Sequence, residues 1–172
     1  MTAQYDPEQG LLFSQVAGDY FQLLKQVPLH ADCSGFAKGE QRLKQSPIAE
    51  PTSDEDEEIN SDWRDHVLPD MLAEFSRQLD MLSEDLAQAS RFEDRGGDEE
   101  YQFLIPNDHI ELWYGAINQA RLVMQERYDF PKVETPEAIE ALMGSETLGP
   151  YLISRFYTEI QGILLAVMTR DV

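Results

Sequence analysis

The stretch HIELWYGAINQARLVMQERYDF, from His109 to Phe130, decides the reading of the fold. Ile110, Trp113, Ile117, Met124 and Tyr128 recur at spacings of three and four, so a helix places them on one face. Pro106, Asn107 and Asp108 suit the N-terminus of such a helix, and Phe130-Pro131 stops it. Arg121 falls on the same apolar face, and Asn118 lies at its border. A charge on a core-facing stripe is costly unless a partner meets it. The helix therefore carries either a polar network that fixes the packing or a recognition site.

Further helices are expected on both sides. Asp6 and Pro7 read as a helix start, with Leu12, Val16, Tyr20, Leu23 and Val27 as its stripe and Val27-Pro28 as its end. Residues 28–62 read as irregular and partly flexible, with several glycines and prolines and the acid run Asp54-Glu55-Asp56-Glu57-Glu58. Trp63, Val67, Met71, Phe75, Leu79, Leu82 and Leu86 form the next stripe, with a kink or break expected at Pro69. Phe92 to Glu100 reads as a loop, and Tyr101 to Ile105 as extended coil, since a lone strand has no partner. Thr135-Pro136-Glu137 opens a short helix ended by Gly144, and the last helix carries Leu152, Phe156, Ile160, Ile163, Leu164 and Val167. The expected fold is an all-α, single-domain bundle of roughly four to five main helices over the whole chain, with a long irregular acidic segment after the first.

The chain has 172 residues, enough for one substantial core, and its apolar share of 42% is ordinary for a globular protein. Its charge is not ordinary. With 33 acidic and 13 basic residues the net charge is −20. Such a surface repels phosphate backbones and anionic lipid, which argues against direct nucleic-acid or membrane binding. Cys33 is the sole cysteine, so an intramolecular disulfide and a cysteine-based metal site are excluded. The N-terminus lacks a basic start and apolar core, and the apolar run Ile163–Met168 is too short to span a bilayer. A soluble, cytoplasmic protein is expected.

Val27, Trp63 and Pro106 stand three positions before His30, His66 and His109, so no Glu-x-x-His pair of a di-iron bundle exists. There is no His-Glu-x-x-His, no phosphate-binding glycine loop and no Gly-x-Ser-x-Gly elbow. Asp65-His66 and Asp108-His109 are neighbours that a helix turns about 100° apart. No cofactor and no metal is expected. Arg121 has the strongest claim to a role, with Asp85, Glu84, Glu159 or a helix-end carbonyl as candidate partners and Asn118 and Gln161 completing a network. Trp113 and Trp63 read as core anchors, while Phe156 and Tyr157 divide between core and rim.

The order of these features resembles an uncharacterised bacterial family, the domain of unknown function numbered two thousand and seventeen. The resemblance rests on the N-terminal LLFSQVAGDYFQLL, on Leu68-Pro69-Asp70 with Phe75, on Trp113, Ile117, Asn118, Arg121 and Leu122, and on Tyr157 with Gln161. It covers roughly Leu11 to Val167, most specifically in the central helix. It implies an all-helical fold with no assigned activity, and a link to regulated proteolysis through the Clp protease adaptor near which some members are encoded.

The resulting expectation is a non-enzymatic interaction or regulatory module for a protein partner. Its candidate site is the groove beside Trp113, Tyr114, Asn118 and Arg121, with the acidic loop at 54–58 as a second contact. Trp113, Asn118, Arg121, Tyr157 and Gln161 form the candidate network. The alternative is a small-ligand or anion-binding protein, or an enzyme, using an Asn118/Arg121 pocket. Self-association is left open.

Overall fold

A computed structural model describes residues 1–93, 96–131 and 135–170. Strand β1 (Thr2–Asp6) pairs antiparallel with β2 (Gly10–Ala17) where a helix was expected. β2 continues the sheet to β4 (Glu99–Pro106), and β3 (Ser90–Glu93) closes it in the order β1-β2-β4-β3. This sheet overturns the all-α reading: the chain is α+β.

The reason lies in one inserted residue. Leu11 and Phe13 face the core at strand spacing. The register with β4 then shifts between Phe13 and Val16, where Gln15 takes a left-handed φ of 54°. The bulge returns Val16 to the core, so the buried positions run 11, 13, 16. A period of two with one residue added imitates helical spacing, and it makes Leu12, Val16 and Tyr20 look like one stripe. In fact Leu12 is only half-buried, and Tyr20 is exposed on the helix that follows.

Tyr101, Phe103 and Ile105 alternate on β4, with Phe103 and Ile105 buried. The stretch 101–105 expected as extended coil is thus an interior strand; its missing partner is β2. Phe92 and Glu93, expected in a loop, pair with Glu100 and Glu99. Residues 94 and 95 of that expected loop lie outside the described residues.

Helices cover the buried face of the sheet. After β2 come α1 (Gly18–Lys25) and α2 (Val27–Ala31), the latter opened by Pro28 in its first turn. The segment expected to be irregular adds α3 (Ala37–Leu43) and α4 (Asp54–Asp62). The acid run builds a helix start. The Ser53 side chain accepts from the Asp56 backbone N–H (3.2 Å), and the Asp56 carboxylate accepts from the backbone N–H groups of Ser53 (3.1 Å) and Thr52 (2.8 Å). This capping box, and four acidic residues in the first turn, complement the helix dipole.

A π-helical turn, Trp63–Val67, leads into α5 (Leu68–Ala87), and Pro69 falls in the first turn of α5, where its missing N–H is no loss. A 3₁₀ turn, Asn107–His109, precedes α6 (Ile110–Tyr128). Next are α7 (Pro136–Leu142) and α8 (Leu148–Met168).

α6 is the axis of the molecule. Besides the expected Trp113, Ile117 and Met124, it buries Leu112, Ala116, Gln119, Ala120 and Val123. It is therefore covered on most sides, by α2, α3, α5 and α8, rather than lying on a surface with one apolar face. Its Trp113 ring stacks on Phe103 at 5.6 Å between centroids, and Phe103 stacks on Phe13 at 5.2 Å, which ties helix to sheet.

Gly10, at the start of β2, has φ +127°, and a Cβ there would run into the Ile105 carbonyl oxygen and sit 2.9 Å from Pro106 Cα. Gly10→Ala is expected to lower unfolding free energy by about 2–4 kcal/mol in urea titrations, because both strain and backbone collision oppose it. Gly35→Ala, with φ +72° but open space around it, should cost only about 1 kcal/mol. Equal losses at the two positions would refute the close β2–β4 packing at Gly10.

Candidate functional site

Three polar clusters join α6 and α8 to their neighbours. The first contains Arg121. Tyr114, Asn118 and Arg121 lie at i, i+4 and i+7 on α6, on the side that meets α8. An Arg121 Nη1–H donates to Gln161 Oε1 on α8, and Gln161 Nε2 donates to Asn118 Oδ1 at 3.3 Å. Gln161 is buried, whereas Asn118 and Arg121 are half-buried. None of the carboxylates proposed as partners reaches Arg121. Among the described residues no carboxylate lies within ion-pair distance of it, and its buried Nε has no hydrogen-bond partner. Burial is the main influence pulling the guanidinium below its ordinary pKa; nearby Arg155 adds to this and Tyr114 opposes it. The seam holds a poorly compensated cation.

The second cluster centres on Asp85, which the sequence had offered to Arg121. Asp85 projects from α5 and is buried. Its Oδ2 accepts from Trp113 Nε1 at 2.8 Å, and His109 Nδ1 lies 3.0 Å from both carboxylate oxygens. Trp113 is fully buried, so it anchors the core and does not line a groove. The adjacent Asp108 is not expected to couple with His109, and its carboxylate lies 4.0 Å from Nε2; the closer carboxylate is Asp85. No periodicity announces this contact, because the residues stand 24 positions apart. The only hint is an acidic residue, Asp85, beside the buried-stripe Leu82 and Leu86 of α5.

The third cluster holds Tyr157, fully buried on α8. Its hydroxyl donates to the Leu23 carbonyl at 2.7 Å and accepts from His30 Nδ1 at 2.8 Å. Tyr157 is thus separate from the Arg121 seam, although Gln161 follows it by one helical turn. Burial raises the phenol well above its ordinary pKa. Burial, and then Arg127, lower the imidazole of His30 below its usual 6.5.

Two further polar joints were not read from the sequence. Gln119, buried on α6, donates to Gln78 Oε1 at 2.7 Å and to the Phe75 carbonyl at 3.3 Å, while Gly115 leaves room for Gln78. Asn60 on α4 accepts from Ile48 N–H (3.2 Å) and donates to the Ile48 carbonyl (2.9 Å), which holds the chain between α3 and α4 in place. No group of three or more His, Cys, Asp or Glu side chains fit to hold a metal occurs among the described residues. Within them no helix is long and apolar enough to cross a membrane.

Asp85→Ala leaves a buried indole N–H without an acceptor and opens a void. It is expected to cost about 3 kcal/mol in denaturant unfolding, against about 1 kcal/mol for Asp85→Asn, which keeps one acceptor oxygen. Because the folded state depresses the pKa of His30, the unfolded chain binds more protons below pH 6.5. The contribution of His30 to stability is complete above pH 6.5 and fades as the pH falls through the lower folded value. In His30→Asn, whose amide nitrogen takes the place of Nδ1, the melting temperature should fall less steeply over that window. An unchanged slope would show that His30 does not carry the effect.

A family model described as "Domain of unknown function (DUF2017)" matches residues 1–168. The chain belongs to this family. No curated protein and no solved structure matches it.

Proposed function

We propose that this DUF2017 chain is a non-enzymatic protein-binding module that reads a carboxylate of its partner through Arg121. The observation that carries the reading is the guanidinium itself. It is half-buried at the α6–α8 seam, it holds one glutamine, and no described carboxylate neutralises it. A guanidinium offers five donors in a fixed fork that fits a carboxylate with two parallel bonds. A structural arginine of this burial ordinarily has such a partner within its own chain.

The rest of the surface sets the company this site keeps. A net charge of −20 draws a basic partner toward the molecule and repels acidic ones. Arg121 is a cation within that acidic molecule, so an acidic group within a mainly basic partner surface would fix the register of docking. The link to regulated proteolysis implied by the family resemblance makes components of such machinery the first partners to try. The Asp85–His109 pair supports the non-enzymatic reading, since both carboxylate oxygens are engaged in joining α5 to the start of α6. The alternative is an acidic metabolite on the same guanidinium. It differs in its readout: the metabolite alone would raise the melting temperature.

Arg121→Gln separates recognition from packing. A residue kept for binding is a burden to the free fold, so the variant should match the parent in stability or exceed it by about 1 kcal/mol. Its capture of the partner, measured by affinity pull-down with the intact chain, should fall at least about tenfold. A loss of about 2 kcal/mol or more would mark Arg121 as structural, and undiminished capture would move the site elsewhere.

A further inference from the structure

The basic side chains of this acidic chain are not spread evenly. Lys38 and Arg42 of α3, Lys44 just after it and Arg64 in the π-helical turn line one cavity of about 650 Å³. Glu57 and Glu126 are the carboxylates in its lining, so four cationic groups face two anionic ones, in a chain whose overall charge is −20. Arg42 is 4.0 Å from Glu126, a long and exposed contact, and Lys44 is 3.7 Å from Glu40. Such exposed pairs hold their partners weakly. Lys38 and Arg64 have no ion pair or hydrogen bond among the described residues.

The cavity is also built. Its lining combines α3 with the chain around Ile48, which Asn60 fixes through both its amide nitrogen and its amide oxygen. Asn60 is buried, although α4 is otherwise acidic and largely exposed. Ile48, Ala49 and Pro51 add a small apolar surface to the lining. The volume lies within the range of small-molecule sites, roughly 300–1,000 Å³. The excess of cationic over anionic groups in one concavity favours an anion there, although the chain as a whole is negative.

We propose that this cavity binds a small polyanion, with phosphoryl or clustered carboxylate groups held by Arg42, Arg64 and Lys38, and its uncharged body against Ile48, Ala49 and Pro51. The two guanidinium forks match planar, multidentate oxyanions, and Lys38 adds a point charge. This site is independent of the Arg121 seam and stands whether or not that reading holds.

The test is a titration of the intact, isotope-labelled chain followed by amide resonances, with inorganic pyrophosphate, citrate and adenosine monophosphate as separate probes. Saturable shifts confined to α3, residues 44–53 and the turn around Arg64 are expected with at least one of them. Pyrophosphate without citrate would assign phosphoryl groups, and citrate without pyrophosphate would assign carboxylates. The double variant Arg42→Gln/Arg64→Gln should weaken the affinity at least about tenfold, whereas Arg77→Gln, an exposed charge on α5, should leave it unchanged. The proposal is overturned if none of the probes saturates at millimolar concentration, if the double variant binds undiminished, or if Arg77→Gln weakens binding as much. Binding of a poly-glutamate peptide without any of the small probes would also overturn it, in favour of an acidic protein segment.

Discussion

The indole of Trp113 meets two different demands at once. Its ring stacks on Phe103 in the sheet, and its N–H donates to Asp85 of α5. Both partners are buried, so neither can be exchanged for water. A buried carboxylate is costly on its own, and this one is tolerable because Trp113 and His109 supply donors to it. α6 is thereby set in height against α5 and in depth against the sheet. The position of Arg121, two turns further along the same helix, follows from that setting, as does the line of residues that α6 presents to α8.

Polar joints occupy the seams around α6, and they differ in how completely they are satisfied. Asp85, Gln119 and Tyr157 each find hydrogen-bond partners at ordinary distances. Arg121 does not complete its set. In a fold where the other buried polar groups described at these seams are matched, an unmatched cation is informative about the surface it faces. The cluster of basic residues between α3 and α4 is informative in a different way. There each side chain is exposed or nearly so, and it is their gathering in one concavity, within a chain short of lysine and arginine, that stands out.

What the sequence reveals depends on the range of the interactions involved. Thr135-Pro136 and Gly144 bracket α7, and the stripes of α5, α6 and α8 follow local periodicity, so these elements are legible without tertiary information. The sheet is not, because β2 and β4 stabilise each other across roughly ninety residues of chain and neither is self-evident alone. The bulge at Gln15 then disguises β2 as a helix. In the candidate site, Asn118, Arg121 and Gln161 were named and lie together, whereas Trp113 and Tyr157 belong to other clusters. Charge alone pairs Arg121 with Asp85, but the tryptophan N–H and the histidine claim that carboxylate. Asn60 and Gln119 are not legible in the sequence, because a lone amide carries no pattern and only burial reveals its work.

The hydrogen bonds around Tyr157 also determine a proton's address. A phenol has one hydrogen to give, and the carbonyl of Leu23 takes it. The nearby ring nitrogen of His30 must then carry its own hydrogen, which leaves Nε2 bare whenever the imidazole is neutral. Folding thus selects a single tautomer that free histidine shares with another form. The nitrogen resonances of that ring become an internal gauge of whether the last helix is seated against the first.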